Sequence, residues 1–329
     1  MDLLRLPLVV LIEVFKNMEF HEKFLISLLS KRAKNIVRVT STTSHLSVLF
    51  DFDLHIRWGH YSYDDVEEAT DEWNFCIGGE MMRIGYYENG LTIEDHSFRQ
   101  KLLLIGHLLD IFPKATFTVG FYESSEHKLM LEFMKMINQR RLPIKTLYFM
   151  LTSNSSELRS EILDECLEVT DYIMMHTAFP DDFVYTPSRP FKAEKMRILR
   201  QTPWFDLESF INCRSVSVQL SEHSQWTSQY WNSFFTNWMD SDAPLQRLML
   251  HSMIESENRS ILDEMRKQGS HNKTDVLMEM KRGNGSEFFI YHRPHFIDIY
   301  TKQAYLENLE EIEQRERNKK RMDDIRNNQ

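Results

Sequence analysis

Between Leu8 and Met18 the chain reads Leu-Val-Val-Leu-Ile-Glu-Val-Phe-Lys-Asn-Met, apolar on nearly every side of a helix, and this demand for burial constrains the fold more than any other feature. Pro7 fits the first helical turn, where its missing N–H costs nothing and its φ is already helical. Leu8, Leu11, Ile12 and Phe15 then recur at the spacing of one helical face. Val9, Val10, Val14 and Met18 make the opposite side apolar as well. Only Glu13, Lys16 and Asn17 are polar here, too few for a surface helix with one buried stripe. Either a large core surrounds this helix, or another protein covers its second face.

Phe24, Leu25, Leu28 and Leu29 predict a second short helix, and Ser30 to Val37 a third with a basic outer side. A bundle of about 40 residues is marginal alone, and a partner would solve both problems. Taken by themselves, these positions are read more readily as core of one continuous domain than as interface. However, Leu6-Pro7, Val14-Phe15, Met18, Leu25, Leu28 and Ser30-Lys31-Arg32 together resemble an F-box, from about Leu4 to Val39. The resemblance implies a docking module for the small adaptor that joins F-box proteins to a cullin-RING ubiquitin ligase. It implies Leu6, Pro7, Val10, Val14 and Phe15 as adaptor-docking residues, with Leu28 and Lys31 secondary. Ala33 departs from the pattern, in which an aromatic residue often follows the basic pair.

At 329 residues the chain is long enough for two or more domains. A formal net charge of −10 argues against a general nucleic-acid or acidic-membrane binder. Cys76, Cys166 and Cys213 are few, odd in number and far apart, which suits a reducing compartment. The apolar start is not read as a signal peptide, because Asp2 replaces a basic n-region, Glu13 interrupts the run and no small-residue cleavage site follows. The sequons at Asn154, Asn258, Asn272 and Asn284 are then chance matches, and no apolar stretch reaches the roughly 20 residues of a membrane span. Cytoplasm or nucleus is the expected location.

Thr40 to Ser44 is a polar run without apolar period and marks the expected boundary of a 1–44 module. Val48, Phe50, Phe52, Leu54 and Ile56 alternate as in a strand. Asp64-Asp65, Glu67-Glu68 and Asp71-Glu72 read as a solvated helix or loop, and Asn89-Gly90 between apolar runs as a hairpin turn. Helical patterns over Phe98 to Phe112, Glu126 to Arg140 and Ser156 to Val169 then alternate with strand-like runs from Thr116, Leu147 and Tyr172, continuing at Met196, Val216 and Leu248. This is the rhythm of βα units. The expected fold class is α+β or α/β: a three-helix module, then a curved, mainly parallel sheet with helices over 45–300, resembling an irregular leucine-rich-repeat-like solenoid.

Trp231, Phe234, Phe235 and Trp238 recur at i, i+3, i+4 and i+7 on a helix that Thr227 is placed to cap, a stripe that points to core. Asn232 to Trp238, Pro244 to Leu250, Met196 to Leu199 and Cys213 to Val218 together resemble the F-box associated type 2 domain, over about Phe191 to Met253. Val276 to Met280 and Phe288 to Tyr291 predict a hairpin, Phe296 to Tyr300 one further strand, and 301–329 a charged helix or tail with a narrow stripe of Leu306, Leu309 and Ile312. Lys319-Lys320-Arg321 is a weak nuclear-signal motif.

The sequence contains no Gly-rich phosphate loop, no Cys-x-x-Cys pair and no Gly-x-Ser-x-Gly elbow. His292, His295 and Asp298 have a spacing that a metal site could use, but it is not specific and reads as structural. No catalytic residue, metal or cofactor is therefore expected. The two resemblances imply a non-catalytic, substrate-recognition subunit of an SCF-type ubiquitin ligase, with the adaptor, a cullin behind it and an unidentified target protein as partners. A ligase-independent scaffold is the alternative, and a small-molecule enzyme a third reading. Loops on the concave side of the sheet are where a target would be sought.

Overall fold

The computed structural model describes residues 5–41, 45–59, 69, 71–87, 89–94, 97–123, 125–151, 160–177, 179, 183, 185–200, 206–220, 226–252, 255–274, 276–282 and 284–327. The chain divides into two compact units, Met1–Ala193 and Glu194–Gln329.

The first unit opens with α1 (Leu8–Lys16), α2 (Phe20–Leu29) and α3 (Lys31–Thr40). Each start has a local cause. Pro7 stands one residue before α1 as its N-cap, and its carbonyl accepts hydrogen bonds from the Val10 and Leu11 amides, both at 3.0 Å. Glu19 and Glu22 form a capping box at α2, and Ser30 Oγ accepts from the Ala33 amide at 3.1 Å to begin α3. Phe15, Phe24, Ala33 and Val37 are fully buried between these helices and what lies beneath them.

Beyond the bundle come β1 (His45–Phe50), β2 (Leu54–Trp58), β3 (Asp71–Ile77), β4 (Glu80–Tyr87), β5 (Gly90–Ile93), α4 (Phe98–Ile111), β6 (Thr116–Tyr122), α5 (His127–Gln139), β7 (Ile144–Leu151), α6 (Ser160–Cys166) and β8 (Tyr172–Thr177). Strands β1, β6, β7 and β8 pair in parallel. On the other side of β1 the chain is antiparallel, in the order β2, β5, β4, β3. The mainly parallel sheet expected from the sequence is therefore a mixed one.

Pleating sorts the parallel strands cleanly. The row Phe50, Phe121, Phe149, Met175 is buried, with Phe50 and Phe121 packed on Phe133 of α5. The opposite row Leu49, Gly120, Tyr148, Met174 carries the half-buried Tyr148 and Met174.

Two local expectations change. The alternation from Val48 to Ile56 belongs to two strands, because Asp51–Asp53 turn the chain and leave Phe52 80% exposed; a three-residue turn preserves the parity of the pattern. Asp71-Glu72 begins β3 rather than a helix or loop, and the other acids of that run lie outside the described residues. The Asn-Gly hairpin is present, with Tyr87 opposite Gly90. Its glycine is required, since a Cβ there would lie 2.3 Å from the Tyr87 ring and 2.5 Å from the Ile56 carbonyl oxygen.

In the second unit β9 (Lys195–Ile198), β10 (Ser215–Leu220), α7 (Ser228–Met239), β11 (Arg247–Ser252) and α8 (Glu255–Lys267) precede β12 (His271–Asn272), β13 (Leu277–Lys281), β14 (Glu287–Arg293), β15 (Phe296–Thr301) and α9 (Lys302–Asn327). Strands β9, β10 and β11 are parallel, and β15, β14, β13 and β12 continue from β11 antiparallel. Thr227 Oγ1 accepts from the Tyr230 amide and caps α7, whose Trp231, Phe234, Phe235 and Trp238 are all buried. The aromatic stripe is core, as its spacing predicts. Parallel pairing thus gives way to antiparallel strands within each unit, and a leucine-rich-repeat solenoid is not shown.

Candidate functional site

The site follows from how α1 divides its apolar residues. Leu11 (3% exposed) and Phe15 (0%) face inward, while Leu8 (50%), Val9 (73%) and Val10 (44%) are left in solvent. Pro7, Val10 and Val14 lie at i, i+3 and i+7, one side of a helix, with Pro7 exposed and Val14 half-buried. Leu6 is half-buried just before the helix. At the α2–α3 junction Leu28 is half-buried, Leu29 is 73% exposed, and Lys31 is exposed at the start of α3.

Of the positions expected to dock a partner, Leu6, Pro7, Val10, Val14, Leu28 and Lys31 thus reach the surface at least in part. Phe15 does not. It supports α1 from inside, which follows from its place one turn beyond Leu11 on the buried face. Leu8, Val9 and Leu29 are further exposed apolar residues. Leu8, expected on the face of Leu11, Ile12 and Phe15, is left out of the buried side at the first turn of the helix, and Val9 belongs to the opposite apolar side. The available signal was the lack of enough polar positions on α1 to make any side of it a solvent face. Ala33 is fully buried, so the departure from the F-box pattern lies within the bundle.

The bundle is seated on α4 and neighbouring strands. Phe20 stacks on Trp58 (ring centroids 4.4 Å apart) and on Phe112 (4.7 Å), and Phe24 packs edge-on against Phe75. Ion pairs supplement this: Lys34 Nζ lies 2.9 Å and Arg140 Nη2 3.3 Å from the two oxygens of Asp110. Burial alone would raise the Asp110 pKa, but the hydrogen bonds and charges of Lys34 and Arg140 prevail and hold it below the usual carboxylate range. Lys31, Lys34, Arg38 and Arg140 line a basic hollow of about 480 Å³ beside them.

Asp298 is 4% exposed and receives two hydrogen bonds from Arg247, at 3.0 and 2.6 Å, and another from Tyr300. Its carboxylate is thereby occupied. His292 is half-buried, and burial with the nearby Arg266 lowers its pKa. Among the described residues no group of three or more His, Cys, Asp or Glu could hold a metal ion, and no helix is long and apolar enough to cross a membrane.

A family model for the F-box domain matches residues 3–43, and one described as F-box associated matches residues 190–250. No curated protein and no solved structure matches. The first match covers all three helices of the bundle with its exposed apolar edge, and the second covers β9, β10, α7 and most of β11. Together the two domains indicate, in general terms, an SCF-type substrate-recognition subunit. F-box domains typically bind the ligase adaptor and, through it, a cullin. The two domain types belong to non-catalytic substrate adaptors.

Proposed function

We propose that this protein docks the adaptor of a cullin-RING ubiquitin ligase through the exposed side of α1 and holds a target protein through the sheet-bearing remainder of the chain. The carrying observation is the apolar edge Pro7, Val10 and Val14, left at the surface of a helix whose other side is closed by Leu11 and Phe15. Such a row is the arrangement by which an amphipathic helix anchors in a partner's groove. Leu6 would begin the contact, Leu28 and Lys31 would extend it, and the exposed Leu8 and Val9 add to the same end of the helix. Phe15 sets the helix's position from within. The work would be done in the cytoplasm or nucleus. The contribution to ubiquitin transfer is proximity: the bond-forming chemistry resides in other subunits, and this chain raises the local concentration of the target.

The test is capture of adaptor and cullin by the full chain and by a variant carrying Leu6→Ala and Pro7→Ala. Capture should fall by about 30-fold or more, as when a buried hot-spot anchor is lost, while the circular dichroism spectrum stays unchanged. Undiminished capture would overturn the interface. Unaltered ubiquitylation of bound proteins after adaptor depletion would favour a ligase-independent scaffold.

A further inference from the structure

We propose that the basic hollow between α3 and the C-terminal ends of α4 and α5 receives an acidic segment of the target protein, in which Asp or Glu stands beside an apolar side chain. The proposal rests on the substrate-recognition reading above for the purpose of that occupant.

Helical spacing builds one wall. Lys31, Lys34 and Arg38 stand at i, i+3 and i+7 on α3, so they share one side of the helix, and Asn35 lies between them. The facing wall comes from the last turn of α4 and the residues after it, which supply Asp110, Leu109 and Pro113, and from the end of α5, which supplies Arg140 and Leu142. Every element of both walls lies within the described residues. The volume, about 480 Å³, falls within the roughly 300–1,000 Å³ of clefts that hold ligands.

The charges in the hollow do not cancel. Four cations face one carboxylate, and Asp110 is shared between Lys34 at 2.9 Å and Arg140 at 3.3 Å. Lys31 and Arg38 are exposed, and among the described residues neither makes an ion pair. This positive excess is local, in a chain whose formal net charge is −10. A long polyanion such as nucleic acid would meet the wider negative charge, whereas a short segment sets its carboxylates against Lys31 and Arg38 alone. Leu109, Pro113 and Leu142 offer contact to an apolar neighbour, and the Asn35 amide can both donate to and accept from a peptide backbone. These two features select a peptide over a free anion such as phosphate. Lys31 adjoins the proposed docking edge at the α2–α3 junction, while Arg38, seven residues on, lies about two turns away from it. Arg38 therefore tests the hollow separately from adaptor docking.

The test uses the full chain and three labelled peptides of equal length, identical in their Leu and Phe positions, with Glu, Ser or Arg between them. Fluorescence anisotropy should rank binding Glu over Ser over Arg, with added salt weakening the Glu peptide most. The exposed substitution Arg38→Glu should weaken the Glu peptide by at least about tenfold and shift preference toward the Arg peptide, with an unchanged melting curve. Arg38→Lys should retain most of the binding. Equal affinity for all three peptides, binding of none, or indifference to Arg38→Glu would overturn the proposal. So would displacement of the Glu peptide by inorganic phosphate at matched ionic strength, or tighter binding of a DNA oligonucleotide. A self-associated species that Arg38→Glu dissolves would overturn it in favour of a second copy of this chain, and loss of adaptor capture in Arg38→Glu would overturn it in favour of the adaptor. Adaptor capture by the unaltered chain separates the two readings: capture without peptide discrimination removes the hollow alone, and discrimination without capture removes the ligase role alone.

Discussion

Ser27 Oγ on α2 lies 2.7 Å from His107 Nε2 on α4, a polar link between the N-terminal bundle and the helix beneath it. The Ser27 hydroxyl donates to the Phe24 carbonyl at 2.6 Å, so His107 donates its Nε2–H to Ser27. Burial, with the charge of Lys34, lowers the His107 pKa from 6.5 to about 4 against the opposing pull of Asp110. An unfolded chain takes up this proton near pH 6.5 and the folded one only near 4. The contribution is therefore complete above pH 6.5, declines as pH falls toward 4, and changes no further below that. Thermal melting between pH 7.5 and 4 should show this loss, and His107→Gln should flatten it. An unchanged pH profile in the variant would mean that other groups control the acid limb.

Burial on α1 predicts opposite consequences for neighbouring apolar positions. Phe15→Ala removes a side chain that is 0% exposed and should destabilise the first unit by about 3–5 kcal/mol. Val9→Ser acts at a position 73% exposed and should change stability by less than about 0.5 kcal/mol. Urea unfolding followed by circular dichroism measures both.

Gly90→Ala should be costly for a steric reason. The added Cβ would meet the Tyr87 ring at 2.3 Å and the Ile56 carbonyl oxygen at 2.5 Å, and the second of these is backbone. A loss of about 3 kcal/mol is expected, at the upper end for overpacking. Asn89→Ala, at the exposed neighbouring position, should cost about 1 kcal/mol or less, so comparison of the two melting curves isolates the clash.

Asp298→Ala should destabilise the second unit by about 3 kcal/mol, because Arg247 and Tyr300 lose the acceptor they share. The pair is coupled through direct contact, so a double-mutant cycle with Arg247→Ala should depart from additivity by more than about 0.5 kcal/mol. Additive losses would assign the effect to packing of each side chain separately.

How far the sequence could be read depended on which side chains each element buries. α7 is plain because four of its five buried positions, Trp231, Phe234, Phe235 and Trp238, are aromatic and only Met239 is not. α8 is not visible in the sequence pattern. Its inward positions Asn258, Ile261, Leu262 and Met265 have the same spacing, but Asn258 is buried at 2% exposure with its Nδ2 bonded to the Pro294 carbonyl at 2.7 Å, and Glu264 is buried beside Lys267. A polar residue satisfied by a distant part of the chain removes the apolar period from view. β3 was hidden similarly, since most of its residues are exposed.

The sequence by itself determined the helical bundle with its caps, the strand periods, the Asn-Gly hairpin and the excess of apolar residues on α1, because these depend on neighbours only a few positions apart. Tertiary structure alone decided that parallel strands give way to antiparallel ones, that Phe15 is internal while Val9 and Val10 are external, and that Lys31 and Arg38 stand at one hollow with Asp110 and Arg140. Those outcomes depend on which segments pair across long stretches of chain. A one-dimensional period can show that a residue needs cover, but only packing shows whether this chain supplies it.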